Sequence, residues 1–149
     1  MTPISRRSAL SVLLGSVAAV AAAPASPLLT IYKTPACGCC TTWGGRMKAA
    51  GFRRIQVVNV EDTTPIRRRH GMPDAYASCH TGYIEGYALE GHVPPTDVRT
   101  LLRNRPRAAG LAVAGMPLGS PGMEAGAHRE PFQTLLVRKD GKVAVFARH

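Results

Sequence analysis

Short apolar runs separated by polar and turn residues predict a series of strands along this chain. Two of the runs flank a helical pattern near the N-terminus, and four lie further along. The last two are joined across Asp140-Gly141, a pair typical of a tight hairpin turn. The predicted strands cover residues 28–32, 54–60, 81–85, 87–90, 132–137 and 142–146.

Three segments between these strands show helical spacing. In the first, Trp43 and Met47 lie four positions apart and face the core together, and Gly51 ends the segment. In the third, Val98 and Leu101 contribute to one apolar face. The predicted helices cover residues 39–50, 63–70 and 95–104.

The order of these elements predicts the fold class. The order β-α-β-α-β-β-α is that of an α/β, thioredoxin-like fold, and the last two strands add a C-terminal β-hairpin. Residues 107–129 are rich in Gly, Pro, Ala and Met without clear periodicity, so they predict a long Gly/Pro/Met loop. A length of 149 residues suits one domain with a workable core.

Residues 1–25 have the pattern of an export signal. Arg6 and Arg7 precede an alanine-rich apolar run that ends at Ala23, and the mature chain is predicted to start near Ser26. The paired arginines predict the twin-arginine route to the periplasm. The run is shorter than the roughly 20 apolar residues of a spanning helix, which favours export over an anchor and predicts no stable membrane span after signal removal. Residues 26–149 are then the single thioredoxin-like domain.

The chain is strongly basic, with a formal net charge of +10. A basic chain raises the question of nucleic-acid binding, but the sequence has no recognition-helix pattern and no run of aromatic side chains for base stacking. We therefore predict a solvated basic face and no nucleic-acid partner.

Cysteines are concentrated at two places. Three of the four fall within residues 37–40, which read Cys-Gly-Cys-Cys, and the fourth, Cys79, directly precedes His80. Thiolates this close can bind a soft metal ion, exchange disulfides or form structural disulfides. In a periplasm, neighbouring thiols are normally oxidised, so a cluster kept there is a disulfide, a metal site or a redox-cycled pair.

The predicted fold brings the two groups together. Cys37 lies just before the first helix, and Cys39 and Cys40 lie in its first turn, where the helix dipole should lower the pKa of all three thiols. In thioredoxin-like folds, the loop before the third strand packs against this turn. Cys79 and His80 are therefore expected within a few ångströms of the other cysteines.

Three further side chains are candidate ligands. His92 could add an imidazole, although a lone histidine is often a satisfied core or surface residue. Met116 and Met123 lie in the Gly/Pro loop, and thioethers bind Cu(I) without losing a proton. The competing interpretation is that both methionines fill gaps under a long loop.

Several motifs together resemble one known family. They are Tyr32-Lys33-Thr34-Pro35-Ala36-Cys37-Gly38-Cys39-Cys40, Ser78-Cys79-His80-Thr81, Glu90-Gly91-His92-Val93-Pro94, Gly115-Met116-Pro117 and Gly122-Met123-Glu124. From about Leu28 to the C-terminus the chain is similar to a family of exported metal-binding proteins of unknown function, the copper-resistance CopG family. The resemblance implies a thioredoxin-like fold, a periplasmic location, a role in copper handling alongside other periplasmic copper-handling proteins, and copper ligands at Cys37, Cys39, Cys40 and Cys79.

The donor set narrows the choice of metal. Thiolate-rich sites take zinc, Cu(I) or iron–sulfur clusters, and the cysteine spacing here matches neither a zinc finger nor an iron–sulfur motif. Adjacent Cys39 and Cys40 should not easily point at one tetrahedral centre, but they can bind neighbouring ions. The hypothesis is therefore copper as Cu(I), in a site that can be polynuclear.

A thiol-disulfide oxidoreductase is the alternative. Cys37 and Cys40 form a Cys-x-x-Cys motif, in which Cys37 would attack and Cys40 would resolve. The two functions can also combine, because a dithiol that releases two electrons could reduce Cu(II) to Cu(I). A module held by two structural disulfides is a third interpretation, which predicts no free thiols.

Overall fold

The computed structural model describes residues 26–149, so the predicted export signal lies outside the described residues. These residues form one mixed sheet and three helices. The strands are β1 (Leu28–Lys33), β2 (Arg54–Asn59), β3 (His80–Ile84), β4 (Tyr87–Glu90), β5 (Ala108–Ala112), β6 (Gln133–Arg138) and β7 (Val143–Arg148). The helices are α1 (Gly38–Ala49), α2 (Thr64–Arg69) and α3 (Pro95–Asn104), and a short 3₁₀ turn spans Asp74–Tyr76.

The sheet has seven strands in the order β2-β1-β3-β4-β5-β6-β7. β1 pairs with β2 in parallel and with β3 antiparallel, so that Lys33 lies opposite His80. β4 and β5 are parallel, and the remaining pairs are antiparallel. The predicted α/β class, the three helices and the C-terminal hairpin are all observed.

One strand was not predicted. Residues 108–112, assigned above to the long loop, form β5 between β4 and β6, and all five are buried. Their sequence, Ala-Ala-Gly-Leu-Ala, lacks the β-branched residues and the alternation that identify a half-buried strand. Gly110 is needed here because a Cβ atom would overlap the carbonyl oxygen of Ala88 on β4. The hairpin is therefore part of one continuous sheet.

The main core lies between the sheet and the helices α1 and α3. Trp43 and Met47 are fully buried in it, as predicted, and they pack in one cluster with side chains from β1, β4 and α3. The indole Nε1 of Trp43 donates a hydrogen bond to the carbonyl oxygen of Val93 at 2.9 Å. This bond ties the first half of α1 to the loop after β4. None of the helices in the described part of the chain has the length and apolar content that a membrane crossing requires.

Candidate metal centre

The cysteine loop connects β1 to α1. Cys37 occupies the N-cap position, and its backbone N–H donates to the carbonyl of Thr34 at 3.1 Å. The Lys33 side chain is buried, and its ammonium group donates to the carbonyls of Thr34 and Pro35 at 3.0 and 3.3 Å. These bonds close the turn at the end of β1, and the following cysteines then fall in the first turn of the helix.

All four sulfur atoms converge at this turn. Cys37 and Cys40 form a disulfide, whereas Cys39 and Cys79 are free. The Sγ atom of Cys39 lies 3.6 Å from that of Cys37 and 3.8 Å from that of Cys79. The four Sγ atoms lie within 4.8 Å of one another. The expected packing of the two cysteine groups is observed, and the expectation that adjacent Cys39 and Cys40 favour neighbouring ions over one tetrahedral centre stays a prediction.

The convergence follows from the sheet register. Because His80 lies opposite Lys33, Cys79 sits beside the loop that begins after Lys33. The Sγ atom of Cys40 lies 3.4 Å from the carbonyl oxygen of Cys79, and Cys40 is only 1% exposed. Cys37 and Cys40 do not titrate while they are bonded, so the predicted lowering of their pKa values stays a prediction for the reduced protein.

Two histidines flank the Cys79 thiol. The Nδ1 atom of His80 lies 3.3 Å from its Sγ atom, and the Nε2 atom of His92 lies 3.2 Å from it. The His80 ring is fully buried against Trp43, with ring centroids 4.4 Å apart. Its Nε2 atom has no hydrogen-bond partner among residues 26–149. This nitrogen is distinct from the Nδ1 atom that lies beside the Cys79 thiol, and an unpartnered buried nitrogen is unusual in a folded core.

Burial sets the protonation states of this group. It lowers the pKa of His80 to about 3, with a smaller contribution from the nearby His92. It also lowers the pKa of His92. Burial, followed by the neighbouring Cys39, raises the pKa of the Cys79 thiol to about 12. At neutral pH both imidazoles are therefore neutral, which is their ligand form, and Cys79 must release a proton when a metal binds.

Two donor groups result, and they share one residue. One contains the four cysteines, and the other contains Cys79, His80 and His92, with donor atoms again within 4.8 Å of one another. Thiolate and imidazole donors fit soft or borderline ions such as Cu(I) and Zn(II) better than hard ions. The disulfide occupies two of the four sulfurs, so the complete sulfur set requires its reduction.

The Gly/Pro loop covers this centre through Pro121 and Gly122. The carbonyl oxygen of Pro121 lies 2.8 Å from Nδ1 of His92, which fixes that ring with Nε2 towards Cys79. Met116 is 40% exposed, and Met123 is half-buried one residue beyond the contact with α1. The loop residue whose carbonyl bonds a candidate ligand, His92, is thus Pro121. Ligation by Met116 or Met123 stays a prediction.

Sequence reasoning missed Glu90. Its side chain is fully buried and accepts hydrogen bonds from the backbone N–H of Ser78 and the hydroxyl of Thr81, both at 2.8 Å. Burial raises its pKa to about 7, although these two bonds and the charge of Arg67 act in the opposite direction. A carboxyl residue at the end of an apolar strand, Tyr-Ala-Leu-Glu, was the available indication.

Comparisons with known proteins show which family this chain resembles. Residues 76–123 match a family model described as "Protein of unknown function, DUF411". No curated protein matches the chain significantly. Two solved structures, Form 2 and Form 1 of copper resistance protein CopG, are 36% and 38% identical, with TM-scores of 0.78 and 0.77. Each alignment covers 83% of this chain and 98% of the solved chain. This chain therefore belongs to the DUF411 family, together with the copper resistance protein CopG.

Proposed function

We propose that this protein binds copper as Cu(I), for copper resistance or homeostasis. The observation that carries the proposal is the convergence of four cysteine sulfurs within 4.8 Å of one another. Soft thiolates favour Cu(I) over hard cations. Both similar solved structures are named as forms of one copper resistance protein, which favours copper over zinc.

The proposed ligands are Cys37, Cys39, Cys40 and Cys79, with His80 and His92 beside Cys79. Met116 and Met123 remain candidates for a thioether ligand on the loop. Because two donor groups share the Cys79 sulfur, a bridging thiolate between two or more Cu(I) ions is consistent with the distances.

The finer features of fold and location belong to the same proposal. The strand order β2-β1-β3-β4, with β1 parallel to β2 and antiparallel to β3, supports a thioredoxin-like arrangement. The Arg6-Arg7 pattern supports export by the twin-arginine route to the periplasm, where other copper-handling proteins would be partners.

Anaerobic titration tests copper binding. Reduced protein comprising residues 26–149 is titrated with Cu(I) in competition with a chromogenic Cu(I) chelator, and at least one ion per chain is expected. Replacing Cys37, Cys40 and Cys79 with Ser should abolish competitive binding. His70→Gln is the matched control, because this histidine stacks on Tyr83 with ring centroids 3.9 Å apart and is absent from both donor groups. A stoichiometry below one, or unchanged affinity in the triple variant, would refute the proposal.

A thiol-disulfide oxidoreductase is the second candidate. The disulfide between Cys37 and Cys40 at the start of α1 supports it, with Cys37 partly exposed and Cys40 buried. Closure of the Cys37–Cys40 dithiol releases two electrons and two protons, enough to reduce two Cu(II) to two Cu(I). Insulin reduction by metal-free protein tests the enzyme. Rapid turnover that survives Cys79→Ser would favour this function, and the absence of turnover would leave copper binding alone.

A further inference from the structure

The carboxyl group of Glu90 lies directly behind the Cys79 loop. Glu90 ends β4 and is 0% exposed, although an isolated carboxyl group is costly to bury. It belongs to neither of the donor groups that could hold a metal. A buried, ionisable side chain at this position therefore needs another explanation.

The hydrogen bonds of Glu90 explain why a carboxyl group is buried at this position. One oxygen accepts from the backbone N–H of Ser78, and the other pairs with the hydroxyl of Thr81, each at 2.8 Å. Ser78 and Thr81 are the residues immediately before and after the Cys79-His80 pair. A single carboxyl group thus holds both ends of the two-residue segment that carries a thiol and an imidazole.

Arg67 reinforces this arrangement from α2. Its side chain is 5% exposed, and Nη1 lies 4.0 Å from the Glu90 carboxyl oxygen. Asp74 and Thr64 hold the guanidinium from the other side, at 3.0 and 3.1 Å. The guanidinium charge compensates the buried acid and links the α2 segment to the back of the site.

Gly91 shows how closely this support is packed. Its φ is +73°, and a Cβ atom there would lie 2.7 Å from Oγ of Ser78 and 2.6 Å from the carbonyl oxygen of Val113. Only a glycine lets the end of β4 approach Ser78 at this distance. The position of Cys79 is therefore set by direct contact with residues 90–91.

We propose that Glu90 is a positioning residue that fixes Cys79 and His80 in the geometry required for Cu(I) binding. The proposal rests on the proposed copper-binding function. Groups that orient metal ligands from behind typically change affinity 10- to 100-fold, roughly, when removed. Glu90→Ala should therefore weaken Cu(I) binding by about 10- to 100-fold.

Glu90→Gln separates hydrogen bonding from charge. The glutamine oxygen can accept from the Ser78 N–H, while its amide donates to the Thr81 hydroxyl. This variant should restore Cu(I) affinity to within about threefold of wild type, and Thr81→Val, which removes one bond, should fall between the two. The ultraviolet sulfur-to-copper charge-transfer spectrum should change in Glu90→Ala and stay the same in Glu90→Gln.

Asp97→Ala is the matched control. Asp97 is also a buried acid, but it bonds Thr134 and His149 at 2.6 and 2.9 Å, in the C-terminal hairpin. The Asp97→Ala variant should lose stability as Glu90→Ala does, but its Cu(I) affinity and charge-transfer spectrum should equal those of wild type. Equal loss of affinity in the two variants, or wild-type affinity in Glu90→Ala, would overturn the proposal.

A metal-free measurement separates this proposal from copper binding itself. The rate at which iodoacetamide alkylates Cys79 is followed by mass spectrometry in reduced, metal-free protein. Cys79 should be alkylated about tenfold faster in Glu90→Ala than in wild type. In Glu90→Gln and Asp97→Ala, Cys79 should react at the wild-type rate. If wild type binds no Cu(I) but this pattern holds, only the copper-binding function fails. If Cys79 reacts equally in all variants, Glu90 does not position it.

Discussion

Gly122 is the residue at which a single methyl group should detach the loop from the metal centre. Its φ is +91°, and a Cβ atom would lie 2.8 Å from the Trp43 backbone nitrogen, 3.1 Å from the Trp43 Cα and 3.3 Å from the Cys39 carbonyl oxygen. All three atoms belong to the backbone of α1, which cannot move aside without disturbing the core. In Gly122→Ala, therefore, either the clash is tolerated or the loop lifts.

The magnitudes favour lifting. Tolerating the change costs about 1–2 kcal/mol for a left-handed alanine and about 1–3 kcal/mol for overpacking. Lifting the loop forfeits the hydrogen bond between Pro121 and His92, about 1 kcal/mol, and the partly exposed Arg46–Glu124 ion pair, about 0–1 kcal/mol. Since lifting is cheaper, the free energy of unfolding should fall by only about 1–2 kcal/mol.

Hydrogen exchange and urea denaturation together measure this outcome. Backbone amides in residues 117–124 should exchange faster in Gly122→Ala, while those of the sheet keep their protection. Cu(I) affinity should fall by about tenfold, because His92 loses the carbonyl that orients its ring.

Gly115→Ala is the control for backbone strain. Gly115 has a similar φ of +78°, but no atom lies within 4 Å of the position that a Cβ atom would take there. Gly115→Ala should lose only the free energy that a left-handed alanine costs. The hydrogen exchange of the loop amides and the Cu(I) affinity should stay unchanged. If both variants behave alike, or if Gly122→Ala loses more than about 4 kcal/mol with a protected loop, the reasoning is wrong.

Three further predictions concern the helix, the sheet and the thiol. Gly45→Ala should stabilise the protein by about 1 kcal/mol, seen as a melting temperature about 4 °C higher, because its Cβ position on α1 is open. Gly110→Ala should cost more than about 3 kcal/mol or prevent folding, seen in urea denaturation or soluble yield, because the new methyl group would overlap Ala88. The Cys79 pKa of about 12 keeps this thiol protonated until copper displaces the proton. The logarithm of the Cu(I) affinity, measured between about pH 6 and 8, should therefore rise with pH. Cys79→Ser should lower the slope of that logarithm against pH by about one.

The start of α1 was predictable from local spacing, and the approach of Cys79 was predictable from the element order of the predicted fold. The helical spacing of Trp43 and Met47 predicts where α1 lies, and this places Cys37 just before its start. The position of Cys79 then follows from element order, since pairing of β1 with β3 places His80 opposite Lys33. These relations need only the element order, which short-range patterns predict, and the strand pairing of the fold class that this order indicates.

β5 and the role of Glu90 were not predicted, for a different reason. Gly110 is an ordinary loop residue in the sequence, and its necessity appears only when Ala88 on a neighbouring strand is in place. Glu90 likewise ends a predicted strand, and its role appears only when Ser78, twelve positions away in sequence, donates to it. Both roles depend on packing between strands that are distant along the chain, and local propensity contains no information about such contacts.

The two proposed activities draw on the same sulfur atoms, so they must be thermodynamically linked. A disulfide between Cys37 and Cys40 removes two of the four sulfur ligands, and Cu(I) should therefore bind the dithiol state preferentially. Preferential binding stabilises the dithiol and raises its reduction potential, by about 30 mV for each tenfold excess of free Cu(I) over its dissociation constant. Redox titration with glutathione buffers, at fixed free Cu(I), measures this shift. A potential that is the same with and without Cu(I) would show that copper does not use the Cys37 and Cys40 sulfurs.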